Sequence, residues 1–219
     1  MTKKEEQELK RQRKLQAELE RLEGMLVYER EYRPLGVVCG IDEVGRGPLA
    51  GPVVAGAVIL PEDCQILYLN DSKKLTERRR ELLYEEIMEK AVAVGLGVVS
   101  QERIDEINIL QATYEAMREA DGKLDPQPEI LLNDAVTIPG LSQRQIPIIK
   151  GDAKSQSIAA ASVVAKVTRD HMMIALDEAY PQYGFASNKG YGSAAHMAAL
   201  REYGPCPLHR RTFIRNICG

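Results

Sequence analysis

Four carboxylates and a glycine-flanked arginine carry most of the chemical information in this chain of 219 residues. Asp42 and Glu43 directly follow the apolar run 36–41 (GVVCGI), whose β-branched residues between glycines read as a buried strand. Asp134 follows the strand-like run 129–132, and Asp152 follows a third, 146–149. An Asp-Glu pair alone is most simply a solvated turn. Three strands that each end in acid suggest more, because parallel strand ends converge on one crevice. Carboxylates gathered there repel one another unless a cation, water or hydrogen bonds offset the charge. An oxygen-only set of this kind suits Mg2+ or Mn2+, with positions left open for water and a phosphate. Two such ions about 4 Å apart can activate a water on one side of a phosphodiester and stabilise the leaving oxygen on the other.

The residues after Glu43 fit phosphate chemistry as well. Gly45 and Gly47 flank Arg46, so the backbone can approach a ligand closely beside a fixed cation. Ser72, Lys73 and Lys74 (DSKKL) precede a helix start at Thr76, a favourable position for an anion, although on that segment alone a plain helix cap with solvated lysines is the preferred reading.

The elements that must position these groups are legible in outline. Strands are expected at 36–41, 53–60, 91–99, 130–132 and 146–149. Helices are expected from Thr76, over 101–120 in two pieces, over 154–179 and over about 193–203. The small residues of SIAAASVVAKV allow the long 154–179 helix to lie close on a sheet. The alternation implies an α/β or α+β domain around one central sheet. Residues 3–24, free of proline and rich in charge, read as an amphipathic helix with a thin apolar stripe, solvated or lightly docked; a short coiled coil or nucleic-acid-binding arm is the alternative, and the near-balanced charge argues against a strong electrostatic arm. The chain divides into an N-terminal helical extension, 1–33, and a catalytic domain, 34–219.

Composition narrows the classes further. The core must be aliphatic, with no Trp and two Phe. No apolar run is long enough to span a bilayer, which takes about 20 residues. The four cysteines lack metal-ligand or paired spacing, so a reducing cytoplasm is the expected setting. Charge is uneven: 11 basic against 19 acidic residues over 36–149, and 9 against 5 over 150–219. An acidic middle and a basic end suit a site that holds cations beside a surface that holds phosphates.

The segments GIDEVGRGPLAGPVVAGAVIL, DSKKL, LLNDAV, KGDAKSQSIAAASVVAKVTRD, NKGYGSAAH and YGPCPLHRR, in this order, resemble the ribonuclease HII family over residues 36–213. The resemblance implies a ribonuclease H-like fold: a central five-stranded mixed sheet flanked by helices, with a helical C-terminal part. It implies a metal-dependent endonuclease acting on RNA–DNA hybrids and on ribonucleotides embedded in duplex DNA, expected to work as a monomer. Carried over by motif, Asp42, Glu43, Asp134 and Asp152 are the catalytic, metal-binding carboxylates. Asp170 competes for the fourth place, but a helix from Lys154 to Asp170 would set its ends about 24 Å apart, so Asp170 is better explained as a partner for a nearby cation. Gly45, Arg46 and Gly47 would contact the ribonucleotide 2′-hydroxyl through the backbone, and Tyr191 would stack on the following sugar. Lys73, Lys189 and Ser155 are weaker candidates for phosphate contacts, and His196 and His209 are given structural or surface roles. Ala135 departs from the glycine that many relatives carry after the third carboxylate. The sister family, ribonuclease HIII, usually has GKG and a Glu as its fourth acid; Arg46 and Asp152 favour HII.

Overall fold

Thr2 opens the first helix, α1 (Lys3–Gly24), with a reciprocal cap: its hydroxyl accepts from Glu5 N–H while the Glu5 carboxylate accepts from Thr2 N–H. The structure is a computed structural model that describes residues 2–218. Most of α1 is exposed, as its charge pattern predicts, but Leu22 and the following Met25 and Leu26 are buried. A short helix that the sequence pattern does not announce follows, α2 (Val27–Tyr32).

The remaining elements run β1 (Val38–Val44), β2 (Val53–Ile59), α3 (Glu77–Lys90), β3 (Ala93–Val99), α4 (Gln101–Ile107), α5 (Ile109–Gly122), β4 (Ile130–Asp134), β5 (Arg144–Ile148), α6 (Gln156–Asp177), α7 (Phe185–Asn188), α8 (Ala194–Tyr203) and α9 (Arg211–Cys218). The five strands form one mixed sheet in the order β3-β2-β1-β4-β5. β2 is antiparallel to β1 and β3, whereas β4 is parallel to both β1 and β5. The C-terminal ends of β1, β4 and β5 therefore lie on one edge, which is the convergence the acidic strand ends suggested.

Alternation along the strands sorts two apolar layers. Cys39 and Ile41 of β1, with Val53, Ala55 and Ala57 of β2, pack with Ala112, Ala116 and Ala120 of α5. On the opposite face lie Val38 of β1 and Ile130 and Leu132 of β4, with Ile158 of α6. α6 approaches so closely that a Cβ at Gly40 would stand 2.1 Å from the Ser157 carbonyl carbon. Only glycine fits there. The small residues of α6 are thus explained: they let the helix lie on the strand that carries the first acids. A third cluster, around Met173, Tyr183, Phe185 and Leu200, joins the C-terminal helices to the end of α6. Among the described residues no helix is long and apolar enough to cross a membrane.

Candidate active site

β1 does not stop before its acids. The strand runs through Asp42 and Glu43, whose backbones pair with Gly56 and Ala55 of β2. By alternation Asp42 shares the face of Val38 and Gly40, toward α6, and Glu43 leaves on the other side near the end of the strand. In β4 the register sets Asn133 beside Ile41, so Asp134, the next residue, falls beside Asp42 on the neighbouring parallel strand. Asp152 lies just beyond β5, in a single 3-10 turn (Gly151–Ala153). The Gly151 N–H donates to Asp134 Oδ1 at 2.7 Å and ties that turn to the end of β4.

The four carboxylates share one electrostatic neighbourhood. Asp42 is held well above the usual carboxylate range, by burial first and then by the charges of Glu43 and Asp134. Burial also raises Glu43, with Asp134 adding to the shift and Arg46 opposing it. Asp152 is raised by burial, then by Asp71 and Asp134. Burial disfavours the Lys73 ammonium, but Asp42, Asp71, Asp152 and Glu43 outweigh it and the net shift is upward. Lys73 thus shares the electrostatic field of the acids, as does Arg46 beside Glu43. Asp71, which the sequence did not single out, comes in with Lys73.

Each acid is turned to a protein group. Asp42 Oδ1 accepts from Glu43 N–H at 2.8 Å, and Ser162 hydrogen-bonds the Asp42 carboxyl. The Ser162 hydroxyl lies 2.9 Å from that of buried Ser72 in the DSK segment. Glu43 Oε1 stands 3.4 Å from Arg46 Nη1. In this arrangement no three His, Cys, Asp or Glu side chains among the described residues close around a common metal position. The donor set is still all oxygen, anionic and mutually repelling, which is the chemistry of a hard divalent cation site. Asp170 stands apart, held by Lys166 at 2.7 Å and Arg80 at 3.8 Å, as a cation partner.

The glycine-rich loop rests on two guanidiniums. Arg169 and Arg210 are fully buried, and neither is ion-paired among the described residues. Arg210 donates to the carbonyls of Gly45 at 2.5 Å, Arg46 at 2.9 Å and Gly51 at 2.8 Å. Arg169 donates to the carbonyls of Ala50, Pro52 and Lys189. Gly45 has φ +93°, and a Cβ there would lie 2.4 Å from Arg169 Nε. Glycine is required on both counts. Because the same arginine holds Lys189, it links the GRG loop to the segment bearing Tyr191. The Tyr191 ring sits beside Gly47, 3.9 Å from where its Cβ would be, and the residue is 42% exposed. Burial, with Arg169 beside it, pulls Arg210 down to about 9, which leaves it charged at neutral pH.

Two expected contacts are placed differently. Ser155 is fully buried; its hydroxyl donates to Glu29 Oε1 at 2.6 Å and caps α6 by accepting from Ile158 N–H. Lys189 turns its ammonium to the Ala186 carbonyl. Both are committed within the fold rather than to the carboxylate crevice. His196 and His209 are buried, their Nε2 atoms 3.0 Å apart, and His196 Nδ1 contacts the Tyr191 carbonyl at 2.9 Å.

The model of the ribonuclease HII family matches residues 39–216. This chain belongs to the ribonuclease HII family. A ribonuclease HII from Lachnoclostridium phytofermentans is 65% identical over 207 residues, which cover 94% of this chain and 82% of that one. The crystal structure of the ribonuclease H2 from Pyrococcus horikoshii superposes with a TM-score of 0.69 at 30% identity, covering 83% of this chain and 96% of that chain. The ribonuclease HII of Archaeoglobus fulgidus, solved in complex with PCNA, gives 0.71 at 28% identity, covering 83% and 97%. Membership of the ribonuclease HII family makes the chain an enzyme, an endonuclease of the ribonuclease H type. Within this family frame Arg169 and Arg210 are the functional candidates that sequence reading missed. A buried arginine and a surface arginine look alike in one sequence, and the only signal was their position in the segments VTRD and LHRR.

Proposed function

We propose that this enzyme hydrolyses the phosphodiester on the 5′ side of a ribonucleotide in duplex DNA, and the RNA strand of RNA–DNA hybrids, leaving a 3′-hydroxyl and a 5′-phosphate. The observation that carries the reading is the juxtaposition of Asp42, Glu43, Asp134 and Asp152 on one sheet edge with the Gly45–Gly47 loop that follows Glu43.

In this reading the four carboxylates hold two divalent cations, Mg2+ or Mn2+. When bound, the metals supply a more acidic water and offset charge on the leaving oxygen. The protein's own groups do the rest. Repulsion among the acids favours exchanging their present partners for a cation. Gly45–Gly47 presents backbone to the 2′-hydroxyl, the group that tells RNA from DNA, and the Arg169–Arg210 pair keeps that backbone from yielding. Tyr191 offers a ring face to the adjoining sugar, and Lys73 steadies a phosphate beside the acids. The chain acts as a monomer in the cytoplasm, and all these groups lie in 34–219.

The test uses labelled duplex DNA containing one ribonucleotide, with Mg2+, Mn2+ or EDTA, for the wild type and Asp134→Asn. Metal-dependent cutting 5′ to the ribonucleotide, lost in the variant, is the expected result. Cutting only within long RNA–DNA hybrids would overturn the single-ribonucleotide assignment, and no cutting of either would overturn the reading.

A further inference from the structure

The N-terminal helix presents three cations to one surface groove. Gln7, Lys10, Arg11 and Lys14 recur at helical spacing and, with Leu67 and Tyr68, wall a surface groove. Glu18 shares that face, but Arg21 neutralises it at 2.7 Å, and its carboxylate also accepts from Tyr68 N–H at 2.7 Å. Of the other acids of the first half of α1, Glu6 and Glu8 flank this face at helical spacing from Lys10 and Arg11, but neither lines the groove nor forms an ion pair with those cations among the described residues.

Tyr68 connects this face to the start of α3. The Arg79 guanidinium lies 4.5 Å from the Tyr68 ring centroid. Arg78 and Arg79 occupy the first turn of α3, just after the Thr76 cap. Cations are unfavourable there for the helix itself, because that end of the dipole is positive. Lys73, three residues before the cap, already shares the field of the carboxylates. Lys10, Arg11, Lys14, Arg78 and Arg79 form no ion pair with a carboxylate among the described residues. Cations thus recur from Lys73, over the start of α3 and Tyr68, to the groove on α1, with Glu77 and the paired Glu18 among them.

We propose that this track is a second contact surface for the phosphate backbone of double-stranded nucleic acid, engaging the flank of the duplex beyond the cut. It rests on the reading above for what is cut, but not for what is bound: unpaired cations in a row match the phosphate array of any duplex. The track adds affinity and leaves the chemical step alone.

The experiment neutralises the α1 portion with Lys10→Gln, Arg11→Gln and Lys14→Gln together, none of which touches the carboxylate site. Circular dichroism first confirms that helix content is kept. Binding of a long all-DNA duplex is then measured against salt concentration. The log–log slope is expected to fall by about 2–3, since each lost phosphate contact removes about 0.9. On a long duplex with one ribonucleotide, KM rises about ten-fold at moderate salt while kcat is unchanged; on a duplex trimmed close to the ribonucleotide, neither changes. An unchanged salt slope, a fall in kcat, or equal weakening on trimmed and long duplexes would overturn the proposal. Failure of the wild type to cut at a ribonucleotide would overturn the functional reading instead, and the all-DNA slope would still decide the track.

Discussion

The carboxylate of Glu29, on α2, receives the hydroxyl of Ser155 at 2.6 Å and the N–H of Ser157 at 2.9 Å, all inside the protein. An acid is thereby seated at the N-terminus of α6, the helix that begins just after Asp152. Two nearby contacts reinforce it: Gln156 N–H donates to the Met25 carbonyl at 3.1 Å, and the Gln156 side chain donates to that of Leu22. Replacing Glu29 with Ala leaves buried donors without an acceptor, which costs about 1–3 kcal/mol. Urea unfolding of Glu29→Ala is expected to show that loss, and an unaltered midpoint would contradict it.

Ala135 sits at φ +57°, immediately after Asp134. A side chain in the left-handed region costs roughly 1–2 kcal/mol, and glycine avoids it while giving back part in unfolded-state entropy. Ala135→Gly is therefore expected to stabilise the protein by about 0.5–1 kcal/mol, seen as a higher Tm with activity kept. A lower Tm would mean that the alanine methyl makes contacts worth more than the strain.

Asp42 illustrates an opposition between stability and chemistry. Its pKa is raised on folding, by burial and then by Glu43 and Asp134. A carboxyl raised in this way favours folding when protonated; the benefit is full below the unfolded value and is lost as pH rises through the folded one. At neutral pH its ionisation works against the fold. Asp42→Asn should abolish cleavage while raising Tm, and the gain should shrink as the pH is lowered. Each kcal/mol corresponds to about 2–4 °C in a chain of this length. A variant that is inactive and also less stable at neutral pH would show that the Ser162 hydrogen bond outweighs the repulsion.

The histidine pair behind Tyr191 has the opposite sign. Burial, and then His196, lower His209 to about 4, and burial lowers His196 as well. Bases depressed on folding contribute stability that is complete above the ordinary histidine value and is lost as pH falls through the folded one. Wild-type Tm should decline between roughly pH 6.5 and 4, and His209→Gln should flatten that decline. Parallel profiles would exclude the pair as the source.

The long elements were legible because burial on one or both faces writes a pattern over many residues. α6 and the strands around it followed from small and β-branched runs, and their acidic ends led to the crevice. The extent of β1 was not legible: Asp42 and Glu43 have poor strand propensity, and only pairing with Gly56 and Ala55 carries the strand through them. α2 and α9 were missed because a helix of 6 or 8 residues offers two turns at most for a period to show. The placement of Ser155 was not legible for a related reason. A serine near Asp152 looks like a phosphate contact until the buried glutamate that claims its hydroxyl, 126 residues earlier, is in view.

The dependence of the Gly45–Gly47 loop on Arg210 imposes an order of events on biosynthesis. All four acids have been made once residue 152 leaves the ribosome, but the loop's anchoring guanidinium is separated from Gly45 by 165 positions and follows all of them. A nascent chain can therefore carry its acids before the loop beside them has its final support. On the functional reading given above, the backbone that discriminates RNA from DNA would gain its final support only after the acids beside it have been made, once Arg210 has joined them.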